Sequence, residues 1–152
     1  KNLVNVWGEE KALEYFDALA VNVKQFTESG SGPIKLLVQQ EVAIGLCLTF
    51  QAVDEKNNGN DFLILEPEFG SPYSLTGASI VKGKKDRAGV KEVFEFVVND
   101  FCVYDKEYFS PGQVLTVQEN KLENYPTDFS YADMTGIESV DEQERLLELW
   151  KY

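Results

Sequence analysis

The chain has 152 residues, 43% of them hydrophobic, and a net charge of −12 from 26 acidic and 14 basic residues. This composition is sufficient for a folded domain with a hydrophobic core, and its acidic balance argues against nucleic acid as a partner. Because the chain has no histidine, Ser-His-Asp and Cys-His catalysis and histidine metal sites are excluded within it.

Hydrophobic periodicity predicts helices that alternate with strands along the chain. The first helix, over 8–20, is amphipathic, and Pro33 is well placed to open another. The apolar run 42–48 is typical of a parallel strand that is buried on both faces. Further strands are predicted at 21–26, 62–65 and 74–81, further helices at 33–40, 50–57, 86–100 and 139–152, and a short helix around 111–119.

This alternation indicates an α/β fold with crossover helices. Asp86 is the expected cap of the helix over 86–100, and Ser139 with Glu142 forms a capping box for the last helix. Cys47 and Cys102 are predicted to be buried thiols, since two cysteines make no disulfide framework. No apolar run is long enough for a transmembrane helix. Because the chain starts at Lys1 rather than at methionine, we expect a processed product, a trimmed chain or a fragment.

Two groups of small polar residues are candidates for a ligand site. Ser29, Ser31 and Gly32 precede or open a helix, where hydroxyl and free backbone N–H groups suit an anion. The alternative is a Gly/Ser turn that only caps the helix. Thr49, Phe50 and Gln51 follow the apolar run, at the strand end where open α/β sheets bind ligands. The alternative there is an ordinary strand end with a core aromatic.

Several stretches together resemble a known family. They are WGEEKALEYFDALAVNVKQF, SGSGP, EVAIGLCLTF and PEFGSPYSLTGASIVKGKKD, followed by a helix rich in Val and Phe. In order and spacing they resemble the second half of the extracellular solute-binding proteins of ABC importers. The resemblance is to the type II, family 1 branch, which includes binders of ferric ion, sugar phosphates, phosphonates and polyamines.

The resemblance implies a periplasmic-binding-protein type II-like fold, with two α/β lobes and hinge crossings. Residues 1–67 and 134–152 would belong to lobe 2 and 68–133 to lobe 1, with the N-terminal half of the fold absent. Tyr73 would lie on the hinge side, where it touches ligand or is simply buried. Where ferric-ion binders carry adjacent tyrosines, this chain has Phe50 and Gln51, which argues against iron; no metal or cofactor is expected.

The expected function is therefore that of a non-enzymatic, extracytoplasmic substrate-binding component of an ABC transporter. Its ligand would be a small anionic organic solute with phosphate, phosphonate or carboxylate groups. The expected partners are this solute, the importer's membrane subunits, and a companion chain, the missing half or a second copy that covers exposed edges. Two alternatives stay open: an α/β enzyme or subunit that binds a phosphorylated metabolite, and a self-associating fragment without binding activity.

Overall fold

The computed structural model describes residues 1–74, 76–108, 122–126 and 130–150, and it is helical. The chain divides into two compact units. The first contains the described residues within Lys1–Ser29, Leu65–Ser74 and Thr127–Tyr152. The second contains those within Gly30–Ile64 and Leu75–Pro126.

The first unit contains three helices, α1 (Asn2–Trp7), α2 (Glu9–Ala20) and α7 (Val140–Leu149). Gly8 separates α1 from α2 with a φ of 84°, a backbone conformation that suits glycine. The most buried hydrophobic side chains described in the first unit come from α2 and from the segment before α7: Ala12, Ala132 and Met134. The apolar face of α2 therefore packs as its sequence period predicts.

Ser71 and Tyr131 form an isolated parallel bridge in the first unit. The Ser71 N–H donates to the Ser130 carbonyl at 2.8 Å, and the Ala132 N–H donates to the Ser71 carbonyl at 3.0 Å. Gly70 makes this approach possible, because a Cβ at its position would lie 2.6 Å from the Ala132 nitrogen. Its φ of 85° also favours glycine.

The second unit contains α3 (Gly32–Val38), α4 (Thr49–Asn57), α5 (Val90–Phe96), a π-helical turn (Val97–Phe101) and α6 (Cys102–Tyr108). The last three form one continuous helix over 90–108. Helices α3 and α4 contact each other. The buried side chains of this unit are on these two helices: Ile34, Ala52 and Val53.

The predicted α/β fold is wrong for the described residues, which contain no β-strand. The predicted strands at 21–26, 42–48 and 62–65 are absent, and the described residues of 74–81 form none either. In the run 42–48, Ile44 and Leu46 are each 80% exposed. A strand needs hydrogen-bonded neighbours, and no described residue makes a backbone–backbone hydrogen bond with 42–47.

The same finding corrects the periplasmic-binding-protein type II-like architecture of two α/β lobes, since a helical chain argues against it. No described feature supports a transport function either. The lobe boundaries at 67/68 and 133/134 stay a prediction.

Helix positions agree better with the sequence. The helices predicted at 8–20, 33–40, 50–57 and 139–152 correspond to α2, α3, α4 and α7. The helix predicted at 86–100 begins instead at Val90 after Gly89, whose φ is 79°, so Asp86 is not its cap. Ser139 caps α7 by accepting from the Glu142 N–H at 3.2 Å, but the Ser139 N–H donates to the Gly136 carbonyl, so the predicted capping box is only half formed. The short helix expected around 111–119 lies outside the described residues.

Candidate functional site

The N-terminal ends of α3 and α4 lie side by side in the second unit. A Cβ at Gly30, just before α3, would be 3.5 Å from Leu48 Cδ1, and Leu48 is the N-cap residue of α4. A Cβ at Gly45 would be 3.1 Å from the Pro33 carbonyl oxygen. Glycine at both positions therefore allows the loop before α4 to approach the first turn of α3.

Five predicted site residues lie at these two helix ends. Ser31 is the N-cap residue of α3 and Gly32 its first residue. Thr49, Phe50 and Gln51 form the first turn of α4. The structure thus brings Ser31 and Gly32 near Thr49–Gln51, although Thr49–Gln51 begin a helix after an irregular segment rather than follow a strand.

The other two predicted site residues, Ser29 and Tyr73, belong to the first unit. The Ser29 carbonyl accepts a hydrogen bond of 2.9 Å from Thr27 Oγ1. The Tyr73 ring packs edge-on against Tyr131, with ring centroids 5.5 Å apart, and Tyr73 is 40% exposed. Tyr73 is therefore not fully buried, and its place in a ligand site stays a prediction.

The first turn of α4 has hydrogen-bonding groups to offer. The backbone N–H groups of Thr49 and Phe50 make no hydrogen bond with the described residues, as is usual for the first positions of a helix. The Gln51 Oε1 atom is enclosed and also has no partner among them. A buried polar atom without a partner is costly, so this carboxamide can accept from a group that the described residues do not supply.

The electrostatics of the two helix starts favour negative charge. Neither first turn contains an acidic residue, and neither N-cap side chain bonds to the helix N–H groups. The N-terminal end of a helix carries a partial positive charge. An anion at α4 would therefore meet no carboxylate of that turn, despite the chain's net charge of −12.

Two features of the structure were outside the sequence predictions. Gly45 and Leu48 position the two helix ends, and only the spacing of Gly45 between apolar residues could have indicated a close approach. Asn2, in the first unit, is buried with its Oδ1 unpartnered among described residues, and nothing in its sequence context indicates this.

The described part of the chain contains two cysteines. Cys47 and Cys102 are free thiols and each is half-buried, so the prediction of full burial is only partly met. Burial raises the pKa of the Cys47 thiol above its ordinary value, which makes it less reactive. Across 1–74, 76–108, 122–126 and 130–150, no three His, Cys, Asp or Glu residues cluster as a metal site would require. None of the described helices has the length and apolar character to span a membrane.

Comparisons with known proteins give one partial match. No family model matches the chain, and no solved structure matches it. An uncharacterized protein of Haemophilus influenzae is 35% identical over 83 residues, which are 55% of this chain and 24% of that protein. The match thus spans about a quarter of the curated relative's length.

Proposed function

We propose that this chain binds a small anionic organic solute at the adjacent starts of α3 and α4. The solute would carry phosphate, phosphonate or carboxylate oxygens. The observation that carries the proposal is Gln51, whose enclosed Oε1 has no hydrogen-bond partner among the described residues. Gln51 shares the first turn of α4 with Thr49 and Phe50, whose N–H groups form no hydrogen bond with those residues.

The chemistry of the turn supports an organic anion rather than a bare ion. The Thr49 and Phe50 N–H groups would donate to the anionic oxygens, and the Thr49 hydroxyl would donate as well. The Gln51 Oε1 accepts hydrogen bonds, so it suits a hydroxyl or amine elsewhere on the solute. Phe50 is half-buried and adds an apolar wall.

Other expected properties remain predictions from the sequence resemblance. These are contact with the membrane subunits of an importer, an extracytoplasmic location and the lack of enzymatic activity. Binding at α4 requires none of them.

The test is a titration of the isotope-labelled chain with inorganic phosphate, then with a panel of phosphorylated, phosphonylated and carboxylated metabolites, followed by ¹H–¹⁵N NMR. This method detects weak binding and reports which amides respond. We expect saturable shifts at Thr49, Phe50 and Gln51, larger with an organic anion than with phosphate.

Two variants sharpen the test. Thr49→Val and Gln51→Leu should each weaken binding several-fold, whereas Gln25→Leu, on an exposed residue of the first unit, should leave it unchanged. Shifts that are absent at Thr49–Gln51 with every compound, or equal weakening by all three variants, would contradict the proposal.

A further inference from the structure

The helix over 90–108 has a broad exposed apolar side. Six of its residues project within about a third of the helix circumference, given about 100° per residue and a wider π turn in the middle. We call them the apolar stripe: Val93, Phe96, Val97, Phe101, Tyr104 and Tyr108. Their exposed fractions range from 36% at Val97 to 62% at Val93 and Tyr108.

The apolar stripe is unusual because large apolar side chains normally face the core of a unit. None of the three helical segments contributes a buried residue. Val90 and Phe94, near the start of the helix, are half-buried. A contiguous apolar surface of this kind usually marks an interaction site.

One edge of the apolar stripe is acidic. Glu92, Asp100 and Glu107 are exposed along it, and none of them forms an ion pair with a described residue. The two lysines of the helix are engaged elsewhere, Lys91 with Glu95 at 3.7 Å and Lys106 with Asp105 at 3.2 Å. The charge beside the stripe is therefore uniformly negative.

We propose that the apolar stripe binds a basic amphipathic helix of a partner polypeptide. The apolar face of that helix would pack on Val97 and Phe101, and its lysine or arginine residues would lie beside Glu92, Asp100 and Glu107. A second copy of this chain fits less well, because antiparallel pairing of two such helices would bring the acidic edges together.

The π-helical turn helps to form this surface. It lies between α5 and α6 and contains both Val97 and Phe101. A π turn widens the helix locally, and single π turns often occur at functional sites. Here it keeps the apolar residues of α5 and α6 on one side of the helix.

The experiment uses the whole chain and two synthetic peptides of about 18 residues, or five turns. One is a leucine–lysine amphipathic helix and the other has glutamate at each lysine position. Binding is followed by fluorescence anisotropy and mapped by ¹H–¹⁵N NMR. We expect the lysine peptide to bind saturably with shifts centred on 92–108, and the glutamate peptide not to bind.

Variants separate the stripe from general attraction to an acidic chain. Phe101→Ser should weaken binding at least about tenfold. The triple change Glu92→Gln, Asp100→Asn, Glu107→Gln should weaken it several-fold. The control triple Glu10→Gln, Glu14→Gln, Asp54→Asn removes the same charge from exposed residues outside this helix and should have little effect.

Circular dichroism establishes that each variant keeps its helices. Equal weakening by the two triple variants, shifts centred outside 92–108, or equal binding of the glutamate peptide would each overturn the proposal. An increase in the mass of the chain alone, abolished by Phe101→Ser, would show a second copy as the occupant and overturn it too.

Discussion

The indole N–H of Trp150 donates a hydrogen bond of 2.9 Å to an Asp17 carboxylate oxygen, although the two residues are 133 positions apart. The Trp150 ring also packs on Phe16 and Phe26, with centroids at 5.3 and 5.9 Å. Trp150, the residue after α7, thus connects the end of α7 to α2 within the first unit. Both a hydrogen bond and aromatic packing depend on it.

Replacing Trp150 tests the two contributions separately. Trp150→Phe keeps a ring but loses the N–H, and we expect it to lower the free energy of unfolding by about 1 kcal/mol. Trp150→Ala also loses the packing and should cost about 3 kcal/mol or more. Urea unfolding measures both. Equal losses in the two variants would show that ring packing contributes little.

Gly70→Ala should be among the more destabilising changes in the first unit. The new Cβ would lie 2.6 Å from the Ala132 nitrogen and 2.6 Å from the Tyr131 carbonyl carbon, at a φ of 85°. We expect a loss of about 3 kcal/mol, measured by thermal unfolding.

Gly59→Ala is the matched control for this substitution. Gly59 also has a positive φ, 97°, but a Cβ there would meet no atom within 4 Å. Its cost should be about 1 kcal/mol, from backbone strain alone. Equal costs at Gly59 and Gly70 would mean that the close approach at Gly70 relaxes freely.

The pH dependence of stability should reflect Glu142. Its carboxylate accepts from Arg145 Nε at 2.8 Å and from Lys1 Nζ at 2.9 Å. These two cations lower the pKa of Glu142 to about 2, with Arg145 the larger cause. Because the folded pKa lies below the unfolded one, the stabilisation is complete above about pH 4.5 and is lost as the pH falls towards 2.

Thermal unfolding between pH 5 and about pH 2 measures this effect. The melting temperature of the unchanged chain should fall more steeply than that of Glu142→Gln, which has no carboxylate to protonate. Glu144→Gln, on an exposed neighbour of α7, is the control and should keep the steep fall. Parallel curves for the unchanged chain and Glu142→Gln would contradict the assignment.

Asn124 allows a test of a side-chain hydrogen bond and of a positive φ in the second unit. Its Nδ2 donates to Asn57 Oδ1 at 2.7 Å, and Asn57 Nδ2 donates to the Glu123 carbonyl at 3.0 Å. Asn124 has a φ of 61°, which glycine tolerates and alanine does not. Asn124→Gly should therefore cost about 0.5–1 kcal/mol and Asn124→Ala more, by urea unfolding. A reversed order would show that φ is not limiting.

Most of the described helices, although not α1 or α6, were predictable because their signal is local. The apolar period of 8–20 and the proline at 33 each specify a helix without reference to the rest of the chain. The predicted end of α3 was less accurate, since Gln40 adopts a φ of 59° that a glutamine does not indicate in the sequence. The start of α5 depends in the same way on Gly89 rather than on Asp86.

The strand predictions were wrong because a strand forms only where a neighbouring strand supplies hydrogen bonds. The apolar run 42–48 indicates burial, but hydrogen-bonded partners are a separate requirement, which the described residues do not meet. In the candidate site, Ser31 and Gly32 were chosen for helix-start chemistry, which is local. Thr49–Gln51 were chosen as the end of a strand that the described residues do not contain, and they begin α4 instead. Their proximity depends on Gly30 and Gly45, and the link between Trp150 and Asp17 also has no local signal.

The division of the chain bears on how it can be cut and how it folds. The polypeptide passes from one unit to the other after Ser29, Ile64, Ser74 and Pro126, so neither unit is a continuous stretch. A single proteolytic nick cannot release either unit intact, and no simple truncation isolates one. Residues such as Lys1 and Glu142 must find each other across almost the full length. Folding should therefore be slow for a helical chain, because the entropy cost of bringing distant segments together precedes the free energy gained when their helices pack.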